Sequence, residues 1–234
     1  MKTRGEKHFV GMPRFGARMY DRFLYVEPIQ ARIVEIAQDL VSRAGKGKWL
    51  DAGTGPGRLL IEIHRLNPEI ELFGLDISAA MIVVARKNLQ GVTADLRVST
   101  MRHTDYESDF FTVVTSIGSF YLWDHPEESL EEIFRILKKG ESAYIFEVTK
   151  DIDEKEYQNA LKENLRKLNW VRRLIGPLAL RKSLRMSYRS EEFAKIIEKT
   201  SFSRSYTIEK IKLSDMPMWA RITLKKMPPS PATH

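Results

Sequence analysis

Between residues 46 and 150, short apolar runs alternate with stretches whose apolar residues recur at helical spacing. Trp49 to Ala52, Ile70 to Leu75, Leu96 to Ser99, Thr112 to Ile117 and Ser142 to Val148 read as strands. Arg58 to Leu66, the stretch from Ser78 through Leu89, and Glu127 to Leu137 read as the helices between them, with Ser78 an N-cap and Gly140 a stop. Upstream, Ile29, Ile33, Ile36, Ala37 and Leu40 place a helix over Pro28 to Ser42, ending before Gly45. Strand-helix alternation of this kind implies a parallel sheet wrapped by helices on both faces. The last third breaks the rhythm: two helical stretches precede strands at Tyr206 to Leu213 and Met218 to Leu224.

The richest local signal joins the first strand to its helix. Leu50-Asp51-Ala52-Gly53-Thr54-Gly55-Pro56-Gly57 is an apolar run, an acid and three glycines at alternate positions. Such glycines let the backbone take positive φ and approach a ligand closely. The helix behind them offers unpaired N–H groups and a positive dipole end. Asp76 closes the next strand, where a carboxylate would accept hydrogen bonds from ribose hydroxyls. A dinucleotide fingerprint needs glycine at the third position of Gly-x-Gly-x-x-Gly, and here that position is Arg58. Asp51 would repel a pyrophosphate but suits an ammonium group. A ligand with both a ribose and a cationic amino acid tail is S-adenosylmethionine.

Three segments carry a family resemblance: Leu50 to Gly57; Gly74-Leu75-Asp76-Ile77-Ser78-Ala79-Ala80-Met81; and the run from Leu130 to Gly140. Together they resemble the class I S-adenosylmethionine-dependent methyltransferases, in the quinone-biosynthesis and small-molecule (type 11) subgroup. The likeness covers roughly residues 45 to 150. It implies a Rossmann-like α/β fold: a seven-stranded, mostly parallel sheet with helices on both faces, the last strand antiparallel, and a helical cover after the fifth strand. It divides the chain into an N-terminal helical lid (1–45), a cofactor-binding core (46–150), a basic helical cover (151–200), a terminal hairpin (201–226) and a disordered tail (227–234).

The same resemblance implies roles for single residues. Asp51 would bind the methionine amino group, and Gly53, Thr54, Gly55 and Gly57 would form the cradle under methionine and ribose. Asp76 would take both ribose hydroxyls and Ile77 would lie on the adenine face. Thr100 and Met101 fall where the family reads the adenine edge, although Thr100 replaces the usual aspartate and could equally face water. Thr112 replaces an acid at the start of the fourth strand. Ser116 follows that strand at the mouth facing the methyl group. The Asn/Asp-Pro-Pro-Tyr/Phe signature of amino-methylating enzymes is missing there. Tyr20, Tyr121 and His125 are the candidates for catalytic contact, with packing an equal alternative for Tyr20 and helix entry the alternative for His125.

Composition narrows the compartment and the chemistry. The 234 residues, 43% hydrophobic and 29% charged, are those of a globular domain, and no apolar run is long enough to span a bilayer. Residues 1 to 11 lack the apolar core of a secretory signal, so a cytoplasmic protein is expected. Without cysteine there are no thiolate nucleophiles or thiolate metal sites, and the five histidines have no metal-ligand spacing. The net charge of +7 is concentrated: Gln158 to Arg189 holds nine Lys/Arg against Glu163 alone. That stretch is read four ways: a helix lying on an anionic membrane surface, which would make the protein peripheral at the membrane, a cover whose cations meet an anionic or membrane-associated acceptor, a platform for RNA or protein, or a solvated face over a packed stripe. The leading expectation is a methyltransferase for a small-molecule or lipid-like acceptor. An RNA or protein methyltransferase and a non-catalytic cofactor-binding regulator remain the alternatives. Residues 1 to 18 are expected to be mobile.

Overall fold

A computed structural model describes residues 14–24, 27–166, 180–181 and 183–228. Two helices come first, α1 (Arg14–Leu24) and α2 (Glu27–Arg43). Then follow β1 (Lys48–Ala52), α3 (Arg58–Leu66), β2 (Glu71–Asp76), α4 (Ala79–Asn88), β3 (Ala94–Val98), β4 (Phe111–Ile117), a single 3-10 turn (Phe120–Leu122), α5 (Pro126–Ile136) and β5 (Leu137–Val148). The remainder is α6 (Glu154–Arg166), α7 (Ser190–Ile197), β6 (Tyr206–Leu213) and β7 (Met216–Lys225).

The strands form one sheet in the order β3-β2-β1-β4-β5-β7-β6. β1 to β5 pair in parallel, and β7 runs antiparallel to both β5 and β6. The parallel core expected from the alternation and the Rossmann-like topology that the resemblance implies are therefore the observed ones. Successive strand residues face opposite sides of the sheet, and the chain supplies large apolar groups at both parities. Trp49, Val113 and Phe146 join α2, α3 and α4 in one buried cluster. Leu50, Val114 and Ile145 join α5 and α7 in the other. Strand order reverses between β1 and its two neighbours, β2 and β4, which opens a crevice at the carboxyl ends of the strands.

Two local expectations are corrected. Residues 14 to 18 were expected to be mobile, yet they form the start of α1. Ala17 is fully buried against Met81 and Val84 of α4. Asp21 then latches the helix to the glycine turn: Arg58 donates to it through Nε (2.9 Å) and Nη2 (3.0 Å), and Asn88 Nδ2 donates to it at 3.1 Å. The fifth strand also starts earlier than Ser142. Leu137 pairs with Phe111 across a register shift, and the Gly140 N–H donates to the Lys226 carbonyl at 2.7 Å. Gly140 sits inside the strand and the helix ends at Ile136.

In the expected basic cover, the described part of α6 mixes Glu154, Glu156 and Glu163 with Lys155, Lys162 and Arg166. Lys167, Trp170, Arg172, Arg173 and Lys182 lie outside the described residues, as do residues 229–234 of the expected disordered tail. No helix among the described residues is long and apolar enough to cross a membrane.

Candidate functional site

The turn after β1 is pinned to the end of β2. The N–H groups of Gly53 and Thr54 both donate to the Leu75 carbonyl, at 2.8 and 2.9 Å. Gly53 has φ of 80°, and a Cβ there would meet Ser119 Oγ at 2.4 Å. Gly55 has φ of 52° and open space where a Cβ would project. The backbone at Gly55 is thus bare toward the crevice, as close approach of a ligand requires.

Asp76 braces this turn from the next strand. Its Oδ2 accepts from the Gly55 N–H at 2.9 Å and its Oδ1 from the Ser78 N–H at 2.8 Å. A carboxylate has about four lone-pair sites, so each oxygen keeps one for a ligand hydroxyl. Burial raises the Asp76 pKa, with the two N–H groups opposing. Asp51 is more extreme: it is 3% exposed, and its pKa is pushed up to about 7 by burial and the Asp76 charge, against the pull of the Thr54 hydroxyl. No ion pair reaches Asp51 among the described residues. A buried carboxyl without a cation, beside a bare glycine turn, suits the ammonium end of an amino acid tail. The residues present therefore fit S-adenosylmethionine.

The remaining predicted residues fall around the same crevice with different exposures. Ile77 presents an apolar side chain that is 49% exposed just beyond Asp76. Met101 is buried, whereas Thr100 is exposed and uses its hydroxyl to accept from the Arg102 N–H at 2.9 Å. Ser116 is fully buried and its hydroxyl lies 2.6 Å from Ser119 Oγ, which donates on to the Ala52 carbonyl at 3.1 Å. Ser116 thus ties β4 to β1 beneath Gly53. Thr112 fills its departure from the family pattern by donating to the Lys48 carbonyl at 3.0 Å.

The catalytic candidates separate into two groups. Tyr20 and Tyr121 come together over the crevice. Tyr20 is partly open to solvent, yet burial of its phenol, then the charges of Asp76 and Glu147, raise its pKa. The Tyr121 phenol is pushed up to about 12 by burial, then by Glu147 and Tyr20. Both phenols keep their protons at neutral pH and are available as donors. His125 stands apart at the entry of α5, with Nδ1 3.3 Å from Glu128 and Nε2 3.9 Å from Asp124.

Glu147, at the end of β5, was not singled out from the sequence. It is fully buried; Oε1 accepts from the Val148 N–H at 2.9 Å and Oε2 from the Tyr121 N–H at 3.3 Å. Burial lifts its pKa to about 7 even though backbone N–H groups of Val148, Tyr121 and Phe120 favour the ionised form. Its only sequence signal is an acid interrupting the apolar run Ala143 to Val148. Among the described residues no His/Asp/Glu group could hold a metal ion.

The sheet of this order is the fold shared with methyltransferases of known structure. Residues 50–140 match the family described as a methyltransferase domain. The ubiquinone/menaquinone biosynthesis C-methyltransferase of Desulfotalea psychrophila is 26% identical over 132 residues, 53% of this chain and 54% of that one. A protein of Methanococcus maripaludis, described as a candidate S-adenosylmethionine-dependent methyltransferase, superposes with a TM-score of 0.68 at 22% identity, covering 92% of this chain and 94% of its own. The plantazolicin methyltransferase BpumL, solved with S-adenosylhomocysteine and a triazolic desmethylPZN analog, gives 0.68 at 16% identity over 92% of each chain. These superpositions show the shared fold. The chain spans about half the length of the curated relatives it matches. The chain is thus similar to S-adenosylmethionine-dependent methyltransferases, enzymes of quinone biosynthesis among them, through a methyltransferase-domain match over residues 50–140.

Proposed function

We propose that the chain methylates a small-molecule acceptor, lipid-like or anionic, at the carboxyl ends of β4 and β5. The observation that carries the reading is the pairing of buried Asp51 with Asp76 across a glycine turn whose backbone is bare at Gly55. In this reading Asp51 holds the ammonium of the donor, Asp76 its ribose hydroxyls, and Ile77 and Met101 the apolar faces of its base. Thr100 stands at the edge of that base, Gly57 at the helix entry, and Ser116 supports Gly53 through Ser119. The bound donor supplies a methyl group on a sulfonium, whose leaving group is already activated by its charge.

The protein's share of such a reaction is alignment and exclusion of water. Tyr20, delivered by the latched helix α1, covers the crevice. Tyr20 and Tyr121 donate hydrogen bonds to the acceptor and fix its orientation. Glu147, titrating near neutrality behind the Tyr121 backbone and too buried for direct contact, takes up through a relaying water the proton of an acceptor that arrives protonated. The quinone and peptide natural-product substrates in the names of similar proteins support small acceptors.

Incubation with donor carrying a labelled methyl group and fractionated cell extract tests the reading. Label should enter the small-molecule or lipid fraction and be absent from RNA and protein. Label confined to RNA or protein contradicts it.

A further inference from the structure

The same stretch of fold treats two arginines in opposite ways. Arg221, on β7, is nearly buried and is fully answered: Nη1 donates to both Asp39 oxygens at 2.9 Å, and Nη2 donates to Glu209 at 2.8 Å. Asp39 lies on α2, and two turns earlier on the same face of that helix stands Arg32. Its Nε is buried and has no hydrogen-bond partner among the described residues, and no ion pair reaches its guanidinium there. The nearest acid in sequence, Glu35, is already engaged, accepting from the Ser214 N–H at 2.8 Å and from its hydroxyl at 3.3 Å. Burial lowers the Arg32 pKa, with the Glu35 charge opposing.

A charge taken from water without a partner is costly, and folded proteins keep such groups where something else supplies the counter-charge. The surroundings of Arg32 point the same way. Its guanidinium carbon lies 5.9 Å from the centre of the Trp219 ring. Trp219 Nε1 is itself buried without an acceptor, and so is the Tyr157 hydroxyl in the first turns of α6, which packs on β7. Three elements that pack together thus carry unanswered donors, with Arg32 over the Trp219 ring and Tyr157 in the same buried cluster as Trp219. The region borders the proposed acceptor site: Trp219 pairs with Val148, the residue after Glu147. An aromatic wall with a guanidinium and two further donors suits a carboxylate or similar oxyanion attached to an apolar body.

We propose that Arg32, with Trp219 and Tyr157, forms an oxyanion-binding subsite for the methyl acceptor. Arg32 is the specificity-determining charge, Trp219 Nε1 and the Tyr157 hydroxyl complete the oxygen shell, and the Trp219 ring covers the adjoining apolar part. Calling the ligand an acceptor rests on the methyl-transfer reading above; the preference for an oxyanion rests on this cluster alone.

The test uses 15N-labelled full chain saturated with S-adenosylhomocysteine. Benzoate and hexanoate are the anionic probes, benzamide and hexanamide their neutral counterparts. Of the four tryptophans, Trp219 is identified by the indole N–H resonance lost in Trp219→Phe. A carboxylate should move that resonance saturably and bind at least about tenfold more tightly than its amide, a difference of about 1.4 kcal/mol. Arg32→Gln should abolish the preference while leaving S-adenosylhomocysteine affinity unchanged within about twofold. Arg32→Met, which keeps the apolar stem and removes the unanswered charge, should melt at a higher temperature than the parent. Equal binding of carboxylate and amide, a preference that survives Arg32→Gln, or a lower melting point for Arg32→Met each overturns the subsite. A parent chain that prefers carboxylates without binding S-adenosylhomocysteine keeps the oxyanion site and overturns its assignment to a methyl acceptor.

Discussion

Asp51→Asn is the perturbation whose consequences run in two opposite directions. The Asp51 carboxyl has its pKa pushed from 3.8 to about 7, chiefly by burial. The folded chain therefore holds a proton at Asp51 where the unfolded chain has released it. Stability falls as pH rises from about 4 to about 7, and above that window the loss is complete. A shift of about three pK units corresponds to about 4 kcal/mol at pH 8, a ceiling because the amide that replaces the acid is also buried. Asp51→Asn should therefore make the ligand-free protein more stable at pH 8 by between about 1 and 4 kcal/mol, with no gain near pH 4. Binding moves the other way. An ammonium beside Asp51 demands the ionised form, so the parent's affinity for S-adenosylhomocysteine should drop about tenfold between pH 8 and pH 6, where only about a tenth of Asp51 is ionised. Asp51→Asn should lose affinity at pH 8 and show no such dependence. Calorimetry in buffers of different ionisation enthalpy counts the proton released on binding, and denaturant melts at pH 4 and pH 8 give the stabilities. Lower stability of Asp51→Asn at pH 8, or unchanged affinity in that variant, refutes the reasoning.

The other residues give sharper single outcomes. Asp76→Ala removes an acceptor for two ribose hydroxyls, worth about 2–4 kcal/mol since charged hydrogen bonds contribute about 1.5–3 each without adding fully. Affinity for S-adenosylhomocysteine should fall by about 30- to 1,000-fold, and retention of parental affinity in a folded variant shows that the ribose lies elsewhere. In the parent, turnover should rise with pH through about 7 as Glu147 ionises. Glu147→Gln should lower the plateau and flatten that limb, whereas an unaltered profile removes Glu147 from proton transfer. Gly53→Ala places a Cβ 2.4 Å from Ser119 Oγ at a φ of 80°. It should cost about 1–3 kcal/mol, and chemical denaturation that finds no loss indicates a turn free to move.

The cofactor end of the site is legible in the sequence because its parts are consecutive. Gly53 to Gly57 encode a local backbone path, and Asp76 closes the next strand in sequence, which the structure pairs beside β1. The α3 boundaries follow from the apolar period of Arg58 to Leu66. What surrounds the acceptor is legible only in three dimensions. Glu147 is one acid in an apolar strand, and its meaning depends on burial beneath the Phe120–Leu122 turn. Arg32 reads as an ordinary polar position on an amphipathic helix until Glu35 is seen to be bonded to Ser214. Asp21 and Arg58 are 37 residues apart, so nothing local announces that α1 is latched rather than loose. The early start of β5 has the same origin, since Leu137 leaves the helix to pair with Phe111 of another strand.

The most direct test of the account is calorimetric titration of the chain with S-adenosylmethionine, S-adenosylhomocysteine and NAD at pH 8. The glycine turn, Asp51 and Asp76 together predict one saturable site for the first two and no response to NAD. Tight binding of NAD with no heat from S-adenosylmethionine contradicts the account at its foundation.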